Sequence, residues 1–267
     1  MGILNTTPDS FSDGGKYHAC ELEHALRMVD EGAEIIDVGG ESTRPGAASV
    51  EAVEEIRRTV PLIELLRKES DVLISIDTSK PVVARAAIEA GADIVNDVTG
   101  FRDPEMTSLC ADTGVGVCIM HMQGNPRTMQ KNPNYTNDGG IINAVKDFFA
   151  ERLRTLTKSG IDPECICFDP GIGFGKTLEH NLELLSHLDE LQQDRPLLLG
   201  VSRKSFIGAI TGEEDPERRD QSTAKITAMT YQQGIRLHRV HNVAANVQSL
   251  RVAEQGGSDL GLDFTRI

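Results

Sequence analysis

The sequence contains no tryptophan and only three tyrosines among its 267 residues. A sugar-binding cleft relies on aromatic platforms, so this poverty argues against a glycoside hydrolase despite an abundance of carboxylates. No apolar run approaches the ~20 residues that a bilayer span needs. No signal or transit pattern opens the chain, and a cytoplasmic location is expected. Lys and Arg never occur in runs longer than two, and Asp and Glu outnumber them 41 to 27, for a net charge of −14. Non-specific attraction to nucleic acid or anionic membrane is thereby disfavoured, and an anionic ligand needs a locally basic pocket. The five cysteines, at 20, 110, 118, 165 and 167, are odd in number and have no paired spacing. Neither a disulfide framework nor a metal knuckle follows from them. Cys165 and Cys167 alternate along a strand-like run and read as reduced core residues, which suits a reducing compartment.

What is present is an ordinary globular composition, 39% hydrophobic and 25% charged. Short Ile/Val/Leu-rich runs recur at 2–4, 34–38, 72–76, 93–95, 115–120, 164–168, 197–201 and 235–240. They do not alternate, as expected for strands of a parallel sheet buried on both faces. Helical patterns lie between them, at 21–32, 50–69, 81–90, 104–112, 141–159, 178–191, 216–233 and 243–254. Several run into glycine just before the next strand, a helix stop. Eightfold strand–helix alternation predicts a (β/α)8 TIM barrel, with a doubly wound open sheet as the alternative. No low-complexity linker interrupts it, so residues 1–267 are expected to form one domain.

Barrel chemistry sits where strands end. The residues at those ends are Asn5, Asp37, Asp77, Asn96, His121, Asp169, Ser202 with Lys204, and Arg239 with His241. Polar ends on nearly wholly apolar strands predict a functional rim. Three long connections leave the same rim, at 6–18, 41–49 and 123–140, and suggest binding loops or lids. After the sixth run comes Asp169-Pro170-Gly171-Ile172-Gly173-Phe174-Gly175-Lys176-Thr177. It resembles a phosphate loop at first sight, but the position five before Gly175 holds Pro170, which has no N–H for a phosphate. The dinucleotide fingerprint fails because its third glycine position holds Lys176. Lys176 is expected to be a solvated charge at a helix start.

The rim divides by chemistry. Asp77, Asn96 and Asp169, with Met120 and Phe174 as apolar walls, suit the edge of a heterocycle that carries several N–H donors. Read singly, each aspartate could equally cap a turn. Arg44, Lys204, Arg239 and His241 form a basic half suited to a polyanion, and the neutral oxygen of Asn5 beside them suits Mg²⁺.

The residues that carry these features also resemble a known family, the dihydropteroate synthases. The resemblance rests on 1–15 (Met1 to Gly15, including Asn5 and Phe11), 36–46 (Ile36 to Gly46), Ile76-Asp77-Thr78-Ser79-Lys80, Asn96-Asp97, Met120 to Gly124, Asp169 to Lys176, Ser202-Arg203-Lys204-Ser205 and Arg239-Val240-His241. It spans the chain in order. It implies a barrel enzyme that joins 4-aminobenzoate to a dihydropterin diphosphate. It further implies that Asp77, Asn96, Asp169 and Lys204 bind pterin, with Met120 and Phe174 lining the slot. Asn5, Thr43, Arg44, Arg239 and His241 would hold diphosphate and Mg²⁺, with Asn5 as the metal ligand. Phe11, Thr43, Pro45, Lys204 and Ser205 would surround the aminobenzoate, and Asp77, Lys204, Arg239 and His241 would act in catalysis. Sulfonamide inhibition and a homodimer are implied too. Asn242 stands where the family commonly has Asp, and Gln221-Ser222-Thr223-Ala224 departs from the usual pattern in a region of dimer contact. A pterin-dependent methyltransferase or a non-catalytic pterin-binding protein would share the pterin edge, but neither needs the 41–46 loop or the Arg239–His241 pair.

Overall fold

The computed structural model describes residues 1–6, 14–42, 47, 49–125 and 128–255. The elements in chain order are β1 (Gly2–Asn5), α1 (Gly14–Asp30), β2 (Ile35–Gly39), α2 (Ala52–Glu69), β3 (Leu73–Asp77), α3 (Pro81–Glu89), β4 (Ile94–Asp97), α4 (Pro104–Thr113), β5 (Gly116–Met120), α5 (Ile141–Lys158), β6 (Ile166–Asp169), α6 (Leu178–Ser186), α7 (Leu188–Leu191), β7 (Leu198–Leu199), α8 (Ser205–Thr211), α9 (Asp220–Gln232), β8 (Leu237–His238) and α10 (Val243–Gln255). β1 to β6 pair in sequence order as a parallel sheet, and β7 pairs with β8. Isolated parallel bridges, Phe168 to Leu197 and Gly2 to Val240, join the two sheets at both edges. The eight strands therefore succeed one another around a ring, the (β/α)8 arrangement expected from the alternation.

Local signals explain the boundaries. Asp103 caps α4 by accepting from the N–H of Glu105 (2.8 Å), Pro104 occupies its first turn, and Gly114 ends it in the left-handed region. α6 opens with a capping box between Thr177 and His180. Four expectations need correction. α1 starts at Gly14, within the connection expected at 6–18. The sixth strand starts at Ile166, because Asp162 caps a short 3-10 turn over Pro163–Cys165, so Cys165 does not alternate with Cys167 on a strand. The pattern at 178–191 is two helices that meet at His187, whose ψ of 33° interrupts the helical path. Residues 205–211, unassigned from the pattern, form α8.

The core lies between strands and helices and is mostly aliphatic. Phe149 of α5 stacks on Phe168 of β6, with ring centroids 4.2 Å apart. Inside the ring, strand register sets the layers. Asn5 pairs with Gly39, Gly39 with Asp77, Asp77 with Asn96, and Asn96 with Cys118. Cys118 in turn pairs with Cys167, and one pleat further along Met120 pairs with Asp169. Side chains two residues apart on a strand share a face. The register thus gathers Asn5, Asp77, Asn96, Met120 and Asp169 at one end of the ring, with Asp37 one pleat below Asp77. The cysteines among the described residues are free thiols, and Cys110 and Cys118 are buried.

Candidate active site

The strand ends bring together three buried acids or amides, Asp77, Asn96 and Asp169, and beside them Asp37, which is fully buried. Arg239 enters from the residue after β8. Its Nε donates to Asp37 Oδ2 at 2.5 Å and its Nη2 to Asp77 Oδ2 at 2.7 Å. Asn96 Nδ2 donates to the same Asp37 oxygen at 3.4 Å. The expected division into an acidic and a basic half is therefore not clean: Arg239, assigned to the basic half, is clamped between carboxylates. The other oxygens of Asp37 and Asp77 are buried without a hydrogen-bond partner. Buried acceptors in that state are costly unless a ligand or water supplies a donor.

The electrostatics follow from burial opposed by neighbours. Burial raises Asp77 to about 7, against the pull of Arg239. Asp169 is raised by burial, with Lys204 the main opposing charge. Arg239 is pushed up: burial is the largest single cause and lowers it, but Asp37 and Asp77 together outweigh that. Burial brings Lys204 down to about 8, with Asp169 opposing. A Cβ placed on Gly200 would lie 3.8 Å from both Asp169 Oδ2 and Lys204 Nζ, so acid and base border the same glycine.

Lys204 Nζ also donates to the carbonyl of Ile172 and stands 4.7 Å from the Phe174 ring centroid, a cation–π contact. Phe174 packs on an apolar cluster of Val98, Met120, Met122 and Met129. Met120 and Phe174 were expected as walls. Val98, Met122 and Met129 were not, although Met122 stands two residues beyond Met120, the spacing of one strand face. Met129 comes from the third long connection, so this part of that loop is a packed wall.

The turn after Asp169 shows what its glycines do. Asp169 Oδ1 accepts from the N–H of Gly171 (2.7 Å), and Asn181 Oδ1 accepts from the N–H of Gly173 (2.8 Å). Those donors are taken by protein oxygens. Gly171 has a φ of +66°, and a Cβ on it would come within 2.0 Å of the His121 carbonyl oxygen. Only glycine permits that approach. Asp169 thus caps its own turn with one oxygen, as the turn-capping reading expected.

Lys176 overturns its expectation. It is 4% exposed, not solvated. Its Nζ makes three contacts, to His121 Nδ1 (3.0 Å), the His121 carbonyl (3.2 Å) and the Phe174 carbonyl (3.0 Å). Burial lowers its ammonium to about 7, with Asp169 opposing. Burial also holds His121 neutral, well below the usual histidine range. With Nδ1 accepting from the lysine, the histidine proton is assigned to Nε2.

On the opposite side His241 contacts Ser202, its N–H donating to Oγ at 3.1 Å and its Nδ1 lying 2.9 Å from the same oxygen. Ser205 is exposed at the first turn of α8, with Lys204 as the capping position. Asn242 Nδ2 donates to Asp220 Oδ2 (3.1 Å), and Asp220 also holds Arg203 in a two-pronged pair at 2.7 and 2.9 Å. An aspartate at 242 would set two carboxylates face to face, so the amide suits this chain's own neighbour. Asn5 is exposed at the end of β1. Phe11, Thr43, Arg44 and Pro45 lie outside the described residues.

Comparison with known proteins gives a consistent result. The family model described as "Pterin binding enzyme" matches residues 1–241. The dihydropteroate synthase of Synechocystis sp. is 46% identical over 258 residues, covering 95% of this chain and 88% of the relative. Among solved structures, the Yersinia pestis dihydropteroate synthase in complex with a sulfonamide drug superposes with a TM-score of 0.90 at 42% identity, covering 96% of this chain and 93% of the other. The Xanthomonas albilineans dihydropteroate synthase with 4-aminobenzoic acid gives 0.88 at 43% identity, covering 97% and 92%.

Proposed function

We propose, for a chain that belongs to the pterin-binding enzyme family and within it to the dihydropteroate synthases, that it joins 6-hydroxymethyl-7,8-dihydropterin diphosphate to 4-aminobenzoate. The products are 7,8-dihydropteroate and diphosphate, a step of folate biosynthesis. The observation that carries the reading is the buried set Asp77, Asn96 and Asp169 gathered at the same end of the ring as Met120, on which Phe174 packs. Carboxylates and a carboxamide match the amino-imino edge of a pterin, and the wall suits its flat face.

In this reading Asp169 takes the N–H edge with the lone pairs its own turn leaves free. Asn96 and Lys204 complete the in-plane contacts. Asp77 lies nearest the exocyclic methylene, where positive charge builds as the C–O bond to diphosphate breaks. Arg239 and His241, with Arg44 and Thr43, draw the departing diphosphate. The amine nitrogen then forms the new C–N bond and loses its proton to solvent. An arylamine is already neutral near pH 7, so positioning and electrostatics carry the rate rather than a strong base. Phe11, Thr43, Pro45, Lys204 and Ser205 are assigned to the aminobenzoate.

A Mg²⁺ fits the donor chemistry at Asn5. A Cβ on Gly39 would lie 3.6 Å from Asn5 Oδ1 and 3.9 Å from Asp77 Oδ2, so both oxygens border this glycine. Among the described residues no three His, Cys, Asp or Glu side chains form a metal cage. A cation at Asn5 would take its remaining ligands from diphosphate and water, the habit of Mg²⁺. When bound it neutralises charge on the leaving diphosphate. A homodimer of single-domain barrels in the cytoplasm completes the proposal, and among the described residues no helix is long and apolar enough to cross a membrane.

The test is diphosphate release from purified protein given the dihydropterin diphosphate, 4-aminobenzoate and Mg²⁺. Release is expected to require the amine, and a sulfonamide is expected to compete with it. Release without the amine, or none at all, overturns the reading.

A further inference from the structure

Residues 171–175 belong to no ladder, yet their carbonyls are nearly all occupied. The Ile172 carbonyl accepts from Lys204 Nζ, and the Gly173 carbonyl accepts from Gln130 Nε2 at 2.6 Å. The Phe174 carbonyl accepts from Lys176 Nζ at 3.0 Å, and the Gly175 carbonyl accepts from the Tyr135 hydroxyl at 2.7 Å. Four consecutive carbonyls are thus each held by a different side chain. Two of those side chains, Gln130 and Tyr135, come from the long connection between β5 and α5. Lys176 also reaches the ring and carbonyl of His121 at the end of β5, so it fastens the turn to the neighbouring strand. The His121 ring is itself fixed edge-on against Phe148 (5.1 Å) and tilted against Tyr135 (5.9 Å).

Three acceptors around Nζ match the three N–H donors of an ammonium. Buried carbonyls need partners, and here side chains supply them where no ladder does. The turn lies between Asp169, which would read the pterin edge, and Phe174, which would cover its face. Its conformation therefore sets the distance between those two contacts. We propose that Tyr135, Lys176 and His121 are positioning residues for the dihydropterin, fixing the turn by its carbonyls so that Asp169 and Phe174 stand at the spacing of a flat ring. The inference rests on the pterin reading of this site. It also gives residues 130–135 of the third long connection a role as a strap on the slot, where the connection's length had suggested a lid.

The experiment compares steady-state kinetics of the wild type with Tyr135→Phe, Lys176→Met and Gln130→Ala, with thermal melts as a check on folding. A single hydrogen bond is worth up to about tenfold in binding, and one from a charged donor more. Expected rises in KM for the dihydropterin diphosphate are roughly 3–10-fold for Tyr135→Phe and ~30–100-fold for Lys176→Met. For Gln130→Ala, an exposed side chain, the expected rise is at most about threefold. The KM for 4-aminobenzoate at saturating dihydropterin should stay within about twofold throughout, because its assigned contacts lie on other loops. A merely structural role would lower the melting temperature and the active fraction while leaving both KM values alone, and that outcome overturns the proposal. Equal rises for both substrates overturn it as well. Tyr135→Phe keeps the ring and all packing, so it decides the matter even if Lys176→Met does not fold. Should the wild type itself fail to release diphosphate, the pterin reading falls and takes this inference with it. An active wild type with unchanged Tyr135→Phe sinks the positioning role alone.

Discussion

The two sides of the rim are built on opposite principles. Around β4 to β6 the candidate pterin slot is held rigid by neutral and charge-assisted hydrogen bonds to backbone, and its acids gather at the end of the ring where Phe174 packs on Met120. Toward β8 and β1 the guanidinium of Arg239 donates to two carboxylates, Asp37 and Asp77, of which each keeps one orphaned oxygen. The first side is finished before any ligand arrives. The second sets one guanidinium between two carboxylates, an arrangement that a ligand can change. A neutral, flat heterocycle is best met by a fixed frame, because every misplaced contact costs binding. A leaving group that gains charge during reaction is better met by a guanidinium already oriented and desolvated, its neighbours tuned by one another.

The largest effect expected from this contrast comes from Arg239→Met. It strands two buried carboxylates and should cost about 3–5 kcal/mol of stability. Asp37 and Asp77 would then protonate more readily, so the deficit should shrink as pH falls, and urea melts at pH 8 and pH 5 would show it. A pH-independent deficit would mean that the carboxylates do not depend on the guanidinium. Asp169→Ala comes next, with a loss of at least ~100-fold in dihydropterin affinity by calorimetry and a smaller change in the melting temperature. If both fell only modestly, the rigid side would be a scaffold without a ligand. The smallest effect concerns Asp77. Its carboxylate is raised to about 7, so the charged form needed beside a developing cation is lost as pH falls through that value. The rate profile should carry an acid limb near pH 7, absent in a slower Asp77→Asn; a limb that survives the substitution belongs to another group.

Much of this was legible in the chain. Eight apolar runs gave eight strands because residues buried on both faces leave an unbroken signature, and the acids at their ends became a layer once register aligned them. The misreadings share a cause. Lys176 looked solvated because its side-chain partner, His121, is 55 residues away, and the one acceptor close in sequence is a main-chain carbonyl, that of Phe174. The bond from Arg239 to Asp37 spans 202 residues, so an apparently free cation was in fact paired. The helix 205–211 is too short to show a period, and the break at His187 has neither glycine nor proline to announce it. Local pattern reports which face is buried; it does not report who occupies the other side.

The seam between β1 and β8 has one more consequence. It rests on a few main-chain bonds, Ile3 N–H to the Val240 carbonyl and Val240 N–H to the Met1 carbonyl, both 2.9 Å, and the amino terminus donating to the His238 carbonyl across 237 residues. Two strands far apart in the sequence must therefore meet, and an unpaired β1 offers an open edge. Contacts of such separation slow folding and prolong exposure to wrong partners. Asn5 and Arg239 flank this seam, so the assignments that would grip diphosphate fall at a junction joined across almost the whole sequence.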